Sequence, residues 1–392
     1  MAGLAAAARA AEVGARVVVA EKLADLGGSA AISAGIVWTA PDFPTLREVV
    51  PSGDMALGRI LVDRFPAAVE WLRSSGVKVS DPWQGQFGFG AAVWADIPAL
   101  IAAWEREISA AGGAVLTSCP ARSLYTASDG SVAGARLAEE KVFAPRVLLA
   151  TGGFQGDRAL LAGFLGPGAG SMLIRSNPGS TGDGYRLGRD AGAASSACLG
   201  AFYGHLVPSP LTRFGPGDFL PLTQYQSRRC ILVNRFGQRF TDESLGDEVS
   251  NQETLRQPAA RAYLICDDEV RRQEGVSAPY PHGSPVDRFA AAARAGARIA
   301  QAATLPELAD VAARWGVSRS PLLATLQACQ ASKQPDQGPP LAADAAPLRQ
   351  PPFHAMEVQP TCTFPFGGLA VDDACRVLDR DGEPISGLRR RR

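Results

Sequence analysis

Gly3 and Glu21 bracket a stretch whose residue types suit the holding of a dinucleotide. Gly3 opens an Ala-rich helical run, residues 4–12, Gly14 turns the chain, and residues 16–20 read as a buried parallel strand ending at Glu21. That order is the back half of a βαβ unit, whose helix N-terminus offers free N–H groups and a positive dipole end to a pyrophosphate. An acidic residue about 20 positions beyond the glycines takes the ribose hydroxyls, and Glu21 stands there. Gly27-Gly28-Ser29, then Ser33 and Gly35, put small residues where a backbone must pass close to something flat or phosphorylated. The first strand and first two glycines of a G-x-G-x-x-G motif would lie just before Met1, and the sequence does not contain them.

Two later turns have the same character. Residues 146–150 read as a strand leading into Thr151-Gly152-Gly153, and open α/β sheets hold ligands at the carboxyl ends of such strands. Thr181-Gly182-Asp183-Gly184 precedes a helix over 185–191, where Asp183 either meets a ligand or caps the helix. Groups for metal or disulfide chemistry are sparse. The three histidines are far apart and the seven cysteines contain no C-x-x-C, so neither a metal site nor a disulfide framework is expected.

The elements that must position these residues fit a chain of 392 residues, long enough for two domains. A hydrophobic fraction of 46% with 20% charged residues describes an ordinary globular protein. A formal net charge of zero argues against a nucleic-acid surface. No window reads as a membrane span or signal peptide, which places the protein in the cytoplasm. The spacing of Ile60, Phe65, Val69 and Leu72 predicts a helix over 59–74 with those residues in the core. Residues 81–90 read as a loop, 98–111 as a helix and 114–117 as a strand. Residues 124–137 form a hairpin around Asp129-Gly130. From about 200 the composition turns to prolines and aromatics, and a second domain begins. Within it Cys230 to Glu243 reads as strand, Gly237 turn and strand, and 252–330 as helical, including 304–315 and 321–332. Residues 335–352 form a linker or long loop, and Arg389 to Arg392 a solvated basic tail.

Taken together these motifs resemble the FAD-dependent oxidoreductases of the succinate dehydrogenase and fumarate reductase flavoprotein family. The resemblance rests on Glu21, Lys22, Gly27-Gly28-Ser29, Ser33 and Gly35, a β-meander leading into Ala150-Thr151-Gly152-Gly153-Phe154, and Thr181-Gly182-Asp183-Gly184. It also rests on Val233-Asn234, Gly237, Arg239-Phe240 and Glu243, and on Gly367-Gly368 with Gly387-Leu388. It implies an α/β fold: a Rossmann-like FAD-binding domain, a parallel sheet plus β-meander, with an inserted α+β capping domain. The expected divisions are 1–200 for the first part of the FAD-binding domain, 201–352 for the cap, and 353–392 for the return. It implies FAD contacts from Gly3, Glu21, Lys22, Gly27, Gly28, Ser29, Ser33, Gly35, Ala121, Ala150, Thr151, Gly152 and Asp183. Relatives continue beyond Gly387-Leu388, so both ends of the cofactor domain read as cut.

The same resemblance implies hydride transfer between flavin and a C–C bond, with a proton handled by a side chain. His205 stands where fumarate reductases carry a substrate-binding histidine, and His354 where ketosteroid dehydrogenases carry a tyrosine. Tyr203 is a third catalytic candidate, and Arg239 with Glu243 reads as a structural pair. Where fumarate reductases have an acid arginine this chain has Leu245-Gly246-Asp247, and where they have a histidine it has Phe364-Pro365-Phe366. The reading is therefore a dehydrogenase or reductase of a ketosteroid-like or other cyclic ketone or enoate, exchanging electrons with a partner the sequence does not name. Its alternatives are a carboxylate dehydrogenase of fumarate-reductase or tricarballylate type, and a truncated chain unable to hold FAD.

Overall fold

Alanine and leucine, the best helix formers, fill Ala2–Glu12, and the run forms helix α1. The computed structural model describes residues 1–84, 90–278, 280, 283–331, 338–339 and 348–390. Most of 335–352, half of 81–90 and the last two arginines lie outside them. The chain divides into two units: 1–157 with 177–199 and 367–392, and 158–176 with 200–366.

In the first unit α1 buries Leu4, Ala5, Ala7, Ala8 and Ala11. These side chains meet Leu100, Trp104 and Ile108 of α2, Ile97–Ala110, in one core. Alanines on this face let the two backbones approach closely. Asp96 starts α2 by accepting from the Ala99 amide at 3.1 Å. After Gly14, β1 (Val18–Ala20) runs parallel to β2 (Ala114–Leu116), pairing Val18 with Ala114. The strands β3 (Ala121–Thr126), β4 (Val132–Leu137) and β5 (Glu140–Phe143) form the antiparallel meander. Next, β6 (Val147–Leu149) lies parallel to the strand Pro384–Arg390, with Leu388 opposite Val147 and Arg390 opposite Leu149. The parallel strands thus form two separate pairs beside a meander, and α3, Asp183–Asp190, completes the elements around the site.

Two local expectations fail here. Arg389 and Arg390 are no solvated tail: they continue a strand because β6 offers its edge. Ile60 is 40% exposed, whereas Val69 and Leu72 are buried. Only the C-terminal half of the helix Met55–Ser74 reaches the core that holds α1 and α2.

The second unit is built on a six-stranded sheet. Its strands are β7 (Leu173–Ile174), β9 (Leu206–Pro208), β10 (Ile231–Val233), β11 (Ala262–Cys266), β12 (Ile299–Ala302) and β13 (Phe353–Cys362). A separate pair joins β8, Phe202–Tyr203, to β14, Phe364–Pro365. All ten residues of β13 are buried. It pairs in parallel with β7 and antiparallel with β9, β11 and β12, so its backbone polar groups are met from both sides. Tyr263, Ile265, Phe353 and Ala355 join a core with the helices Leu305–Arg314 and Arg319–Gln330. The alternate residues Ala262, Leu264, Met356 and Val358 join another with Phe289. Helix α4 spans Asp247–Leu255.

The expectation of helix throughout 252–330 is corrected by β11 and β12. Buried on both faces, β11 reads Ala-Tyr-Leu-Ile-Cys, an apolar run without alternation, which periodicity cannot tell from buried helix. Residues 353–362, grouped by sequence with the first domain, are the sheet's central strand. Arg239 and Glu243 form the buried brace expected, with Arg239 Nε donating to Glu243 Oε1 at 3.0 Å. That oxygen also accepts from the Leu232 amide at 2.8 Å, which ties the brace to β10. The second strand expected after Gly237 is only a bridge between Val233 and Arg239.

Candidate cofactor and catalytic sites

The first unit gathers small-residue turns that lie far apart along the sequence. Lys22 Nζ donates to Thr181 Oγ1 and to Asp183 Oδ2, each at 2.6 Å, and Thr181 Oγ1 donates to Asp183 Oδ1 at 2.9 Å. Asp183 does not cap α3: the cap position is Gly182, in the left-handed region at φ 83°. The carboxylate is the first residue inside the helix, where the dipole favours it, and its side chain is committed to Lys22 instead. Gly184 donates its amide to Thr151 Oγ1 at 3.1 Å, and a Cβ there would stand 2.3 Å from that oxygen. Only glycine allows this approach.

Ser29 Oγ accepts from Asn177 Nδ2 at 2.6 Å, and the same Nδ2 reaches Ser180 Oγ at 3.0 Å. Asn177 and Ser180 were no part of the expected site; the sole sequence signal was their place just before Thr181-Gly182-Asp183. Ser33 Oγ donates to the Ala30 carbonyl at 2.7 Å and accepts from the Gly35 amide, shaping the turn that follows Gly27 and Gly28. Gly3 sits against Ala150, where a Cβ on the glycine would lie 3.3 Å from the alanine's methyl. The Glu21 carboxylate accepts from the Leu23 amide at 2.9 Å. Ala121 opens β3 opposite Leu137. A cavity of about 10 Å³ lies among Thr151, Gly152, Phe154, Tyr185, Gly367 and Arg390. Arg390 Nη1 donates to the Leu369 carbonyl at 2.6 Å.

In the second unit His205 follows β8 and precedes β9. Its backbone is clamped to β13: the Thr361 hydroxyl donates to the His205 carbonyl at 2.7 Å. Asn251 of α4 brackets Thr361 through the residue's amide and carbonyl, at 2.9 and 3.0 Å. Gly204 permits this, since a Cβ there would lie 1.7 Å from the Thr361 carbonyl oxygen. Both imidazole nitrogens are engaged. Nδ1 lies 2.7 Å from Asp247 Oδ2 and Nε2 lies 2.8 Å from the Tyr203 hydroxyl. Tyr203 stacks on Phe364 with ring centroids 5.0 Å apart, and Tyr225 meets the imidazole edge-on.

Burial governs the charges of this group. His205 and Asp247 are 2% and 0% exposed. Burial, aided by the Arg175 cation, lowers the imidazole to about 3. Burial lifts Asp247 to about 7, and lifts Glu248 to about 7 with help from the Asp247 charge. The Tyr203 phenol is pushed upward by burial as well. Asp247 and Glu248 were not expected site residues. Their only sequence signal was their place in or beside Leu245-Gly246-Asp247, the stretch that lacks an arginine.

His354 lies elsewhere. It is the second residue of β13, seven positions before Thr361, which at ~3.3 Å per strand residue is about 23 Å. Its Nε2 is 3.4 Å from Asp268 Oδ1 and its ring meets Phe289 edge-on. It borders a cleft of about 560 Å³ with Arg271 and Gln301. The structure brings Tyr203 and His205 together and does not bring His354 to them.

A family model described as an FAD binding domain matches residues 1–389. The chain belongs to that family. It is 26% identical over 419 residues to the NADH:fumarate oxidoreductase of Klebsiella pneumoniae (strain 342), covering 98% of this chain and 42% of the relative. It is 29% identical over 380 residues to the 4-oxocyclohexanecarboxylate 2-dehydrogenase of Sinomonas cyclohexanicum, covering 86% of this chain and 62% of that protein. The chain therefore spans about half the length of these relatives. Among solved structures it is similar to the 3-ketosteroid-Δ4-(5α)-dehydrogenase of Rhodococcus jostii RHA1. The TM-score is 0.74 at 19% identity, over 99% of this chain and 87% of that one, a likeness of fold. These flavoprotein relatives bear out the α/β fold and the family read from the motifs.

FAD is the family's cofactor, and the first unit's donor set fits it. Helix α1 begins without a side-chain cap, which leaves its first N–H groups for a diphosphate. A carboxylate at Glu21 suits a ribose diol, and Gly3, Gly152 and Gly184 let Ala150, Ser180 and Thr151 pack closely around the turns. Among the described residues no helix is long and apolar enough to cross a membrane.

Proposed function

We propose that this chain is an FAD-dependent oxidoreductase that makes or reduces a C–C double bond beside a carbonyl in a small-molecule substrate, a cyclic ketone or enoate. FAD would be held by the α1 N-terminus at Gly3, by Glu21, by the turn from Gly27 and Gly28 through Ser29, Ser33 and Gly35, and by Ala121, Ala150, Thr151 and Gly152. Lys22 and Asp183 would complete the cradle. When bound, FAD supplies the two-electron acceptor or donor.

The proton belongs to the chain's own residues, and the buried line Tyr203, His205, Asp247 carries this reading. With Asp247 ionised, His205 Nδ1–H donates to it and Nε2 accepts from the Tyr203 hydroxyl. A proton leaving the carbon next to the carbonyl passes to the Tyr203 oxygen as the phenol proton moves to Nε2 and the Nδ1 proton to Asp247. A carboxyl at about 7 is a better resting place for that proton than an imidazole at about 3. Reduction runs the line in reverse. The relative acting on 4-oxocyclohexanecarboxylate supports a cyclic ketone. The fumarate-type alternative draws on the Klebsiella relative, and Leu245-Gly246-Asp247 where fumarate reductases carry an arginine weighs against it.

The test begins with the visible spectrum of the purified chain, supplemented with FAD. The expected result is a bound flavin that cyclic ketones bleach, or that, once reduced, cyclic enones reoxidise. Bleaching or reoxidation that survives Tyr203→Phe and His205→Ala undiminished overturns the assignment of the proton line.

A further inference from the structure

We propose that Arg175 binds a carboxylate of the substrate beside Tyr203 and His205, so that the substrate is an anionic enoate or keto acid. The assignment rests on the oxidoreductase reading above and narrows its substrate class. Arg175 directly follows β7, and its amide donates to the Cys362 carbonyl at 2.8 Å. Two residues earlier Leu173 pairs with Thr361, whose hydroxyl holds the His205 carbonyl. The strand pairing thus delivers the Arg175 side chain to the ground from which His205 is hung.

The guanidinium has little to occupy it there. Its charge lies 5.3 Å from the centroid of the Phe219 ring, and its Nε is buried without a hydrogen-bond partner. No carboxylate pairs with it among the described residues, although its field reaches His205, Tyr203, Tyr225 and Asp247. Arg288, fully buried, also leaves its Nη2 without a partner, but its Nε and Nη1 donate to the Thr223 carbonyl and to Ser277 Oγ. That arginine is a fixture of the fold. A partly buried arginine with an unmet donor and no hydrogen-bonded carboxylate costs stability unless something anionic visits it. Planar, doubly donating guanidinium matches a carboxylate in particular. A ketone oxygen alone would need only Tyr203.

The deciding measurement is calorimetric titration of the full chain, loaded with FAD, with cyclohex-1-enecarboxylate and its neutral isostere cyclohex-1-enecarboxamide. The expected result is an acid bound about tenfold or more tighter than the amide, the worth of one charge-assisted hydrogen bond. In Arg175→Gln the preference should fall below about threefold, with amide affinity and thermal midpoint held. In Arg175→Lys, which keeps the charge but loses the fork, the loss should fall on the acid and spare the amide. Preference retained in Arg175→Gln overturns the Arg175 assignment and leaves the oxidoreductase reading standing, as does an equal loss of both ligands in Arg175→Lys. If neither probe binds the FAD-loaded wild type, the enoate reading falls and the assignment falls with it.

Discussion

Replacing Asp247 by Asn should make the protein more stable at alkaline pH than at acid pH, relative to wild type. Asp247 is fully buried, and its carboxyl rises from an unfolded value of 3.8 to about 7. A folded state that holds its proton more tightly than the unfolded state gains stability below the unfolded value. It loses that stability as pH climbs from 3.8 to about 7. At ~1.36 kcal/mol per unit the whole window amounts to about 4 kcal/mol, of which about 2–3 kcal/mol falls between pH 5 and 8. Asn cannot ionise, and its side-chain oxygen can still accept from His205 Nδ1–H. The variant's advantage over wild type should therefore grow by about 2–3 kcal/mol from pH 5 to pH 8, plus whatever Glu248 gains once its neighbour's charge is gone. Urea unfolding at the two pH values, read as midpoint times a shared slope, measures it. An advantage that stays flat or shrinks with pH refutes the reasoning, because it would mean that Asp247 is ionised throughout as the partner of a charged His205.

Tyr203→Phe should cut turnover by about 10²- to 10⁴-fold, the usual worth of a placed acid or base, while flavin content measured by absorbance stays constant. Gly184→Ala drives a methyl to within 2.3 Å of Thr151 Oγ1. It should cost about 1–3 kcal/mol in denaturant unfolding and reduce FAD retained on gel filtration; a variant that keeps both would show that the close approach of Gly184 to Thr151 does not shape the cradle. Arg239→Leu strands the buried Glu243 carboxylate and should cost about 3–5 kcal/mol by the same unfolding assay, whereas the double variant with Glu243→Leu should recover part of it. Lys22→Ala should weaken FAD binding by equilibrium dialysis without changing which ketones bleach the flavin.

The sequence alone determined the local elements of the first unit, although β1, read as buried, leaves Val18 49% exposed. Its signals are local: a helix former's run, a Val-rich strand, glycines at turns and an acid at a fixed distance, each set by backbone geometry within a few residues. The Asp129-Gly130 hairpin and the helix started by Thr304 were legible for the same reason. Tertiary structure decided the rest. Whether Asp183 caps a helix or meets Lys22 depends on residues 161 positions apart, which no local pattern fixes. β11 was unreadable because burial on both faces erases alternation, and Ile60 misled because periodicity marks a face without saying how far along it the core extends. The proton line shows this most plainly. His205 was visible as a residue, but its neighbours Asp247 and Arg175 come from segments 42 and 30 positions away and matter only because burial strips them of water. Charge in a dry interior is a property of what surrounds it, and that is written in three dimensions.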